Sequence, residues 1–73
     1  MNIAPVDAVV VEFDRDVGWG TVRVVSSGEL LGFHCLDIAD GSRTIDVGVE
    51  VRCRRVGRLG HWQAADLSRG WHH

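Results

Sequence analysis

The side chains of this 73-residue chain that could do chemistry fall into two groups, flat rings and arginines. Trp19, Phe33, His34 and Trp62 carry π-faces, and a ring exposed on a strand can hold a planar heterocycle by stacking, at about 1–3 kcal/mol when the partner is a base. The plainer role for the same rings is burial in a core. All eight basic residues are arginine: Arg52, Arg54, Arg55 and Arg58 crowd one segment, and Arg23 stands apart in another. A planar guanidinium suits phosphate or carboxylate, although a row of arginines on one strand also serves simply to solvate an edge. His34, His61, His72 and His73 share no ligand spacing with Cys35 or Cys53, so no metal site is expected, although the terminal His72-His73 pair could chelate adventitiously. The two cysteines form no CxxC pair and read as reduced thiols packed as small hydrophobes. Neither a phosphate-cradling glycine loop nor a base converging on a nucleophile is visible, so no cofactor and no catalysis are expected.

Those side chains need a scaffold, and at this length there is room for one small core. Hydrophobic residues make up 45% of the chain, which places it among globular domains and far from disordered tails. Val9-Val10-Val11-Glu12-Phe13 is dense in β-branched and aromatic residues and precedes the turn chemistry of Asp14 to Gly18. Trp19 to Val25 forms a second strand and Leu30 to His34 a third, with a reversal at Ser26-Ser27-Gly28 between them. Cys35 to Ile38 suits one helical turn, followed by an exposed loop over residues 39–44. Val49, Val51 and Cys53 alternate with Glu50, Arg52 and Arg54, the signature of a fourth strand with one buried face. Gly57-Arg58-Leu59-Gly60 is expected to turn the chain into a fifth strand over Trp62 to Leu67, with a frayed end from Ser68. Five short strands in a chain this small are most economically closed into an all-β Greek-key barrel, with its core over residues 8–68 and a tail over 69–73. Gly20 and Gly32, inside strands, mark close backbone approaches or bends.

Val17-Gly18-Trp19-Gly20-Thr21-Val22 resembles the first nucleic-acid-binding motif of the cold-shock domain family, and Leu31-Gly32-Phe33-His34-Cys35 resembles the second. The spacing from His34 through Asp40-Gly41 to Ile45-Asp46-Val47-Gly48 and Val51 follows the same family, and the resemblance covers about Ala8 to Ser68. It implies an OB-fold, a five-stranded barrel that binds single-stranded RNA or DNA by stacking bases over its second and third strands. Carried onto this chain, the resemblance implies Trp19 and His34 as stacking and edge-contact residues. Phe33 and Trp62 are further aromatic candidates, with Arg23, Arg52 and Arg54 meeting phosphates. Several family aromatics are replaced: Glu12, Thr21, Gly32 and Cys35 stand where rings are usual, and Val17 stands where a basic residue is.

Formal net charge is −2, with Asp7, Glu12, Asp14 and Asp16 in the first quarter, so binding dominated by positive charge is excluded. Weak binding of single strands through stacking stays open, as does a second class of function. In that second reading the same barrel, its stacking face reduced, serves as a protein-interaction module or homodimer, and an acidic face around Glu12, Asp14 and Asp16 would favour it. No apolar run approaches the roughly 18 residues of a membrane helix and no signal-peptide pattern opens the chain, so a cytoplasmic protein is expected.

Overall fold

In the computed structural model, which describes residues 4–70, each valine-rich run becomes a strand. β1 (Val6–Asp14), β2 (Trp19–Val24) and β3 (Leu30–His34) are antiparallel neighbours, and a short 3-10 turn follows at Cys35–Asp37. β4 (Glu50–Arg58) and β5 (His61–Arg69) form the last hairpin. Because β1 also pairs with β4, and β3 runs parallel to β5, the sheet closes in the order β1-β2-β3-β5-β4. This is the OB-fold-like, all-β five-stranded barrel expected from the sequence. No helix among the described residues is long and apolar enough to cross a membrane.

The inward faces supply the core: Ala8, Val10, Val22, Val24, Leu31, Phe33, Val51, Cys53, Ala64 and Leu67 are all buried, and Ile38 and Ile45 join them from the β3–β4 connection. Inside β1 the alternation is interrupted. Ala8 and Val10 point inward, and an unbroken period of two would carry Glu12 inward as well. The pairing instead steps from Val10 opposite Val22 to Glu12 opposite Thr21, leaving Val11 as the extra residue of a bulge. The bulge turns Glu12 outward and lets Phe13 pack on the core, where its ring stacks with Phe33 at 5.8 Å.

Two expectations need correction. The sequence places the last turn over Gly57 to Gly60, but β4 continues through Arg58, and the reversal is made by Leu59 and Gly60 alone, at φ 51° and 80°. A two-residue hairpin loop needs both residues in that region, where leucine is rare. The predicted frayed end does not begin at Ser68, nor the tail at residue 69: Ser68 pairs with Arg52 and Arg69 with Val51. Arg69 Nε donates to Asp40 Oδ2 at 2.9 Å, tying the end of β5 to the loop after the 3-10 turn. Asp40 is held down to about 2, first by the backbone N–H and side chain of Ser42 and then by Arg69. His72 and His73 lie outside the described residues.

Cys35 and Cys53 are free thiols. Burial, and secondarily the charge of Asp7, pushes the Cys53 thiol up to about 11, so it stays protonated and sheltered. Native protein treated with a thiol reagent at mildly alkaline pH is expected to take one label, at half-buried Cys35, and a second only on unfolding. Mass spectrometry reads this, and equal rates at both cysteines would refute it.

Candidate functional site

The outward faces of β1, β2 and β3 line up in three registered rows. Asp14, Trp19 and His34 form the first, Glu12, Thr21 and Gly32 the second, and Val9, Arg23 and Leu30 the third. Gln63 of β5 extends the second row, since it is the parallel partner of Gly32. Asp14 and Trp19 of the first row and Glu12, Thr21 and Gly32 of the second border a shallow depression of about 890 Å³ that also reaches Arg15, Asp16 and Val17 in the β1–β2 loop.

Trp19 is the exposed ring of this face, with 41% of its surface accessible. Its six-membered edge leans over Gly32: a Cβ built there would lie 3.9 Å from Trp19 Cζ3, in ordinary contact, so the floor beside the indole is bare backbone. His34 meets Trp19 edge-on, with centroids 5.5 Å apart and planes at 88°. Consecutive stacked bases have parallel planes and therefore cannot lie flat on both rings at once. The imidazole is held in place, because its Nδ1 accepts the Leu36 N–H at 3.1 Å while the His34 backbone N–H donates to Asp37 Oδ2 at 3.1 Å, a reciprocal capping box.

Phe33, carried over as a stacking candidate, is fully buried and presents no face to a ligand. It occupies the inward position between the outward Gly32 and His34, and its ring presses on the backbone of Gly20. A Cβ on Gly20 would fall 2.5 Å from Phe33 Cζ and 2.7 Å from the Glu12 carbonyl oxygen, so of Gly20 and Gly32 only Gly20 is there for a close approach.

Trp62 is exposed, but one face of its indole is covered by Arg55, whose guanidinium carbon lies 3.7 Å above the ring centroid. Arg55 is in turn gripped by both oxygens of Glu29 at 2.7 and 2.9 Å, a two-point pair that holds the Glu29 carboxyl below its usual value and raises Arg55. Arg55 and Trp62 lie on the β4–β5 hairpin and Glu29 in the β2–β3 connection, and the cluster does not join Trp19. Arg52 and Arg54 are likewise brought elsewhere. Both project from β4, which borders β1 and β5 but neither β2 nor β3, and each is engaged by a carboxylate, Asp7 at 3.0 Å and Asp66 at 2.6 Å. They cannot act together with Trp19 and His34 on one strip.

Arg23 does share the face, in the third row, about 13 Å along β2 from Trp19 at about 3.3 Å per residue. Among the described residues six of the eight arginines sit in ion pairs, and Arg23 and Arg43 are the two that do not. Arg58, grouped by the sequence with Arg52, Arg54 and Arg55, is the member of that cluster that reaches this strip. Its Nη1 donates to Gln63 Oε1 at 3.3 Å and its Nη2 to Asp37 Oδ1 at 3.3 Å, which sets a guanidinium at the β5 end of the second row. The signal existed in the spacing of Arg58 and Gln63 across the hairpin, but it becomes legible only once the turn is set at Leu59-Gly60.

The opposite end of the strip is acidic. Glu12 accepts from Thr21 Oγ1 at 3.3 Å, Asp14 Oδ1 accepts the Asp16 and Val17 backbone N–H groups at 2.9 and 3.2 Å, and among the described residues none of Glu12, Asp14 and Asp16 sits in an ion pair with an arginine. No protein-family model matches the chain, and no curated protein matches it significantly.

Proposed function

We propose that this barrel binds single-stranded nucleic acid, RNA or DNA, weakly and one stacked base at a time, on the outer face of β2 and β3. The observation that carries the reading is the exposed Trp19 indole, leaning over the bare backbone of Gly32 and braced edge-on by His34. An OB-like barrel with its ring on that face is the arrangement by which splayed bases are stacked, and the motifs around Trp19 and His34 resemble those of the cold-shock domain. Arg23 is the cation placed to meet a phosphate without giving up a carboxylate, and Arg58, shared with Asp37, is a second at the β5 end. No reaction is implied, and the two free thiols fit a reducing, cytoplasmic setting.

Titration with oligothymidine and with a mixed single-stranded RNA, read by tryptophan fluorescence at low salt, tests this. Trp19→Ala is expected to weaken binding about tenfold, the loss of one stacked base. With two cations on the strip, log K should fall with log salt at a slope no steeper than about −1.4. No saturable quenching below about millimolar concentration, or unchanged affinity in Trp19→Ala, overturns the proposal.

A second reading is favoured by the uncompensated Glu12, Asp14 and Asp16 around exposed Val17 and Trp19. There the same depression takes a basic segment of a partner protein, and the oligonucleotide titration is silent while a basic peptide quenches Trp19.

A further inference from the structure

Glu12 is an odd residue to find on a strip proposed to hold nucleic acid, since its charge repels phosphate. Its placement nevertheless requires a dedicated device. Without the bulge at Val11, period-two alternation would carry residue 12 to the barrel interior; with it, the carboxylate emerges in the same row as Thr21 and Gly32. Thr21 Oγ1 donates to Oε1 at 3.3 Å, which steadies the group while leaving both oxygens with capacity to accept. Asp14, one row away, is committed through Oδ1 to the β1–β2 turn. Glu12 is therefore an acceptor with spare capacity on the strand face beside Trp19, and both residues border the same depression.

A carboxylate offers two adjacent acceptors and no donor. Among the bases only guanine presents two adjacent donors, N1–H and N2–H, on its Watson–Crick edge. Adenine and cytosine each offer one amino group beside an acceptor nitrogen, and thymine or uracil offers one N–H flanked by two carbonyl oxygens, all of which a carboxylate repels. The stacked geometry favours such edge-on reading, because a base lying flat against Trp19 over Gly32 directs its edge along the sheet toward one of the neighbouring strands. Side-chain absence at Gly32 keeps the approach clear.

We infer that the strip prefers guanine, stacked on Trp19 and donating N1–H and N2–H to the Glu12 carboxylate. This rests on the single-strand reading and sharpens it from any base to one. The acid thus supplies selection at the cost of general affinity, and the outer phosphates are left to Arg23 and Arg58.

The test uses the full chain and three DNA hexamers: hexathymidine, the same hexamer with one central guanine, and the same hexamer with inosine, which lacks only the N2 amino group. The guanine hexamer is expected to bind about tenfold tighter than hexathymidine, with inosine between them at about threefold. In Glu12→Gln, whose exposed position leaves the fold intact by circular dichroism, the three are expected to fall within about twofold of one another, with hexathymidine gaining slightly as repulsion is removed. If all three hexamers bind wild type equally while Trp19→Ala still weakens them, the guanine assignment is wrong and the stacking proposal stands. If guanine is preferred but Glu12→Gln keeps the preference, the reader is another group and the assignment to Glu12 is wrong. If no hexamer binds, both fall, and quenching by a basic peptide in their place would assign the acid to protein docking.

Discussion

Phe33→Ala is expected to unfold most of the population at room temperature. The ring is fully buried and stacked against Phe13, and deleting a phenylalanine side chain from a core costs about 3–5 kcal/mol in lost transfer energy and residual cavity. A single core in a chain below about 80 residues rarely supplies more than about 3–5 kcal/mol in total, so the loss matches what is available. Far-ultraviolet circular dichroism and urea titration read the outcome, and a cooperative transition near the wild-type midpoint would refute it. The same position also separates packing from binding. Phe33→Leu should stay folded at a cost of about 1–2 kcal/mol and bind oligonucleotides within about twofold of wild type. A folded Phe33→Leu that bound tenfold more weakly would return the ring to the ligand.

Gly20→Ala carries the second large effect, and for the opposite reason. Here the added methyl has nowhere to go: one obstacle is the Phe33 ring, which the core holds in place, and the other is the Glu12 carbonyl of the neighbouring strand. Overpacking of this kind costs about 3 kcal/mol when backbone must shift, which for a domain of this size lowers the melting temperature by about 15 °C. Gly32→Ala, one row away, meets nothing closer than 3.9 Å and is expected to melt within a few degrees of wild type, or slightly higher because the unfolded chain loses freedom. Equal shifts in the two variants would show that the close approach at Gly20 is not what the residue is there for.

Much of this architecture could be read from residue order. Leu30–His34 is bounded as expected, because Gly28 and the change to Cys35-Leu36-Asp37 mark both ends. What escaped has specific physical causes. In Val9-Val10-Val11 both faces are apolar, so a bulge leaves no trace in the hydrophobic pattern. Leu59 at positive φ gives no turn signal, because only the tightness of the hairpin imposes that conformation. The partners of the arginines were illegible for another reason: Arg52 meets Asp7, and Arg55 meets Glu29, through strand adjacencies that exist only once the barrel closes. A ladder of arginines that looks like a phosphate-binding stripe in one dimension is, in three, largely spent on carboxylates.

Closure itself is uneven. β1 with β2 and β4 with β5 share long ladders, whereas β3 and β5 meet in one registered parallel pair, Gly32 with Gln63, supplemented by the bridge from Ile38 to Leu67. Such a seam behaves as a hasp. Opening there severs the fewest main-chain bonds, so solvent deuterons should reach the amides of β3 and the facing half of β5 through a partial unzipping while the two long ladders stay shut. Gly32 is also the floor of the strip beneath Trp19, so a ligand lying from Trp19 toward Gln63 would act as a bolt across the hasp, and occupancy of one shallow surface would be felt as slower breathing of the whole barrel.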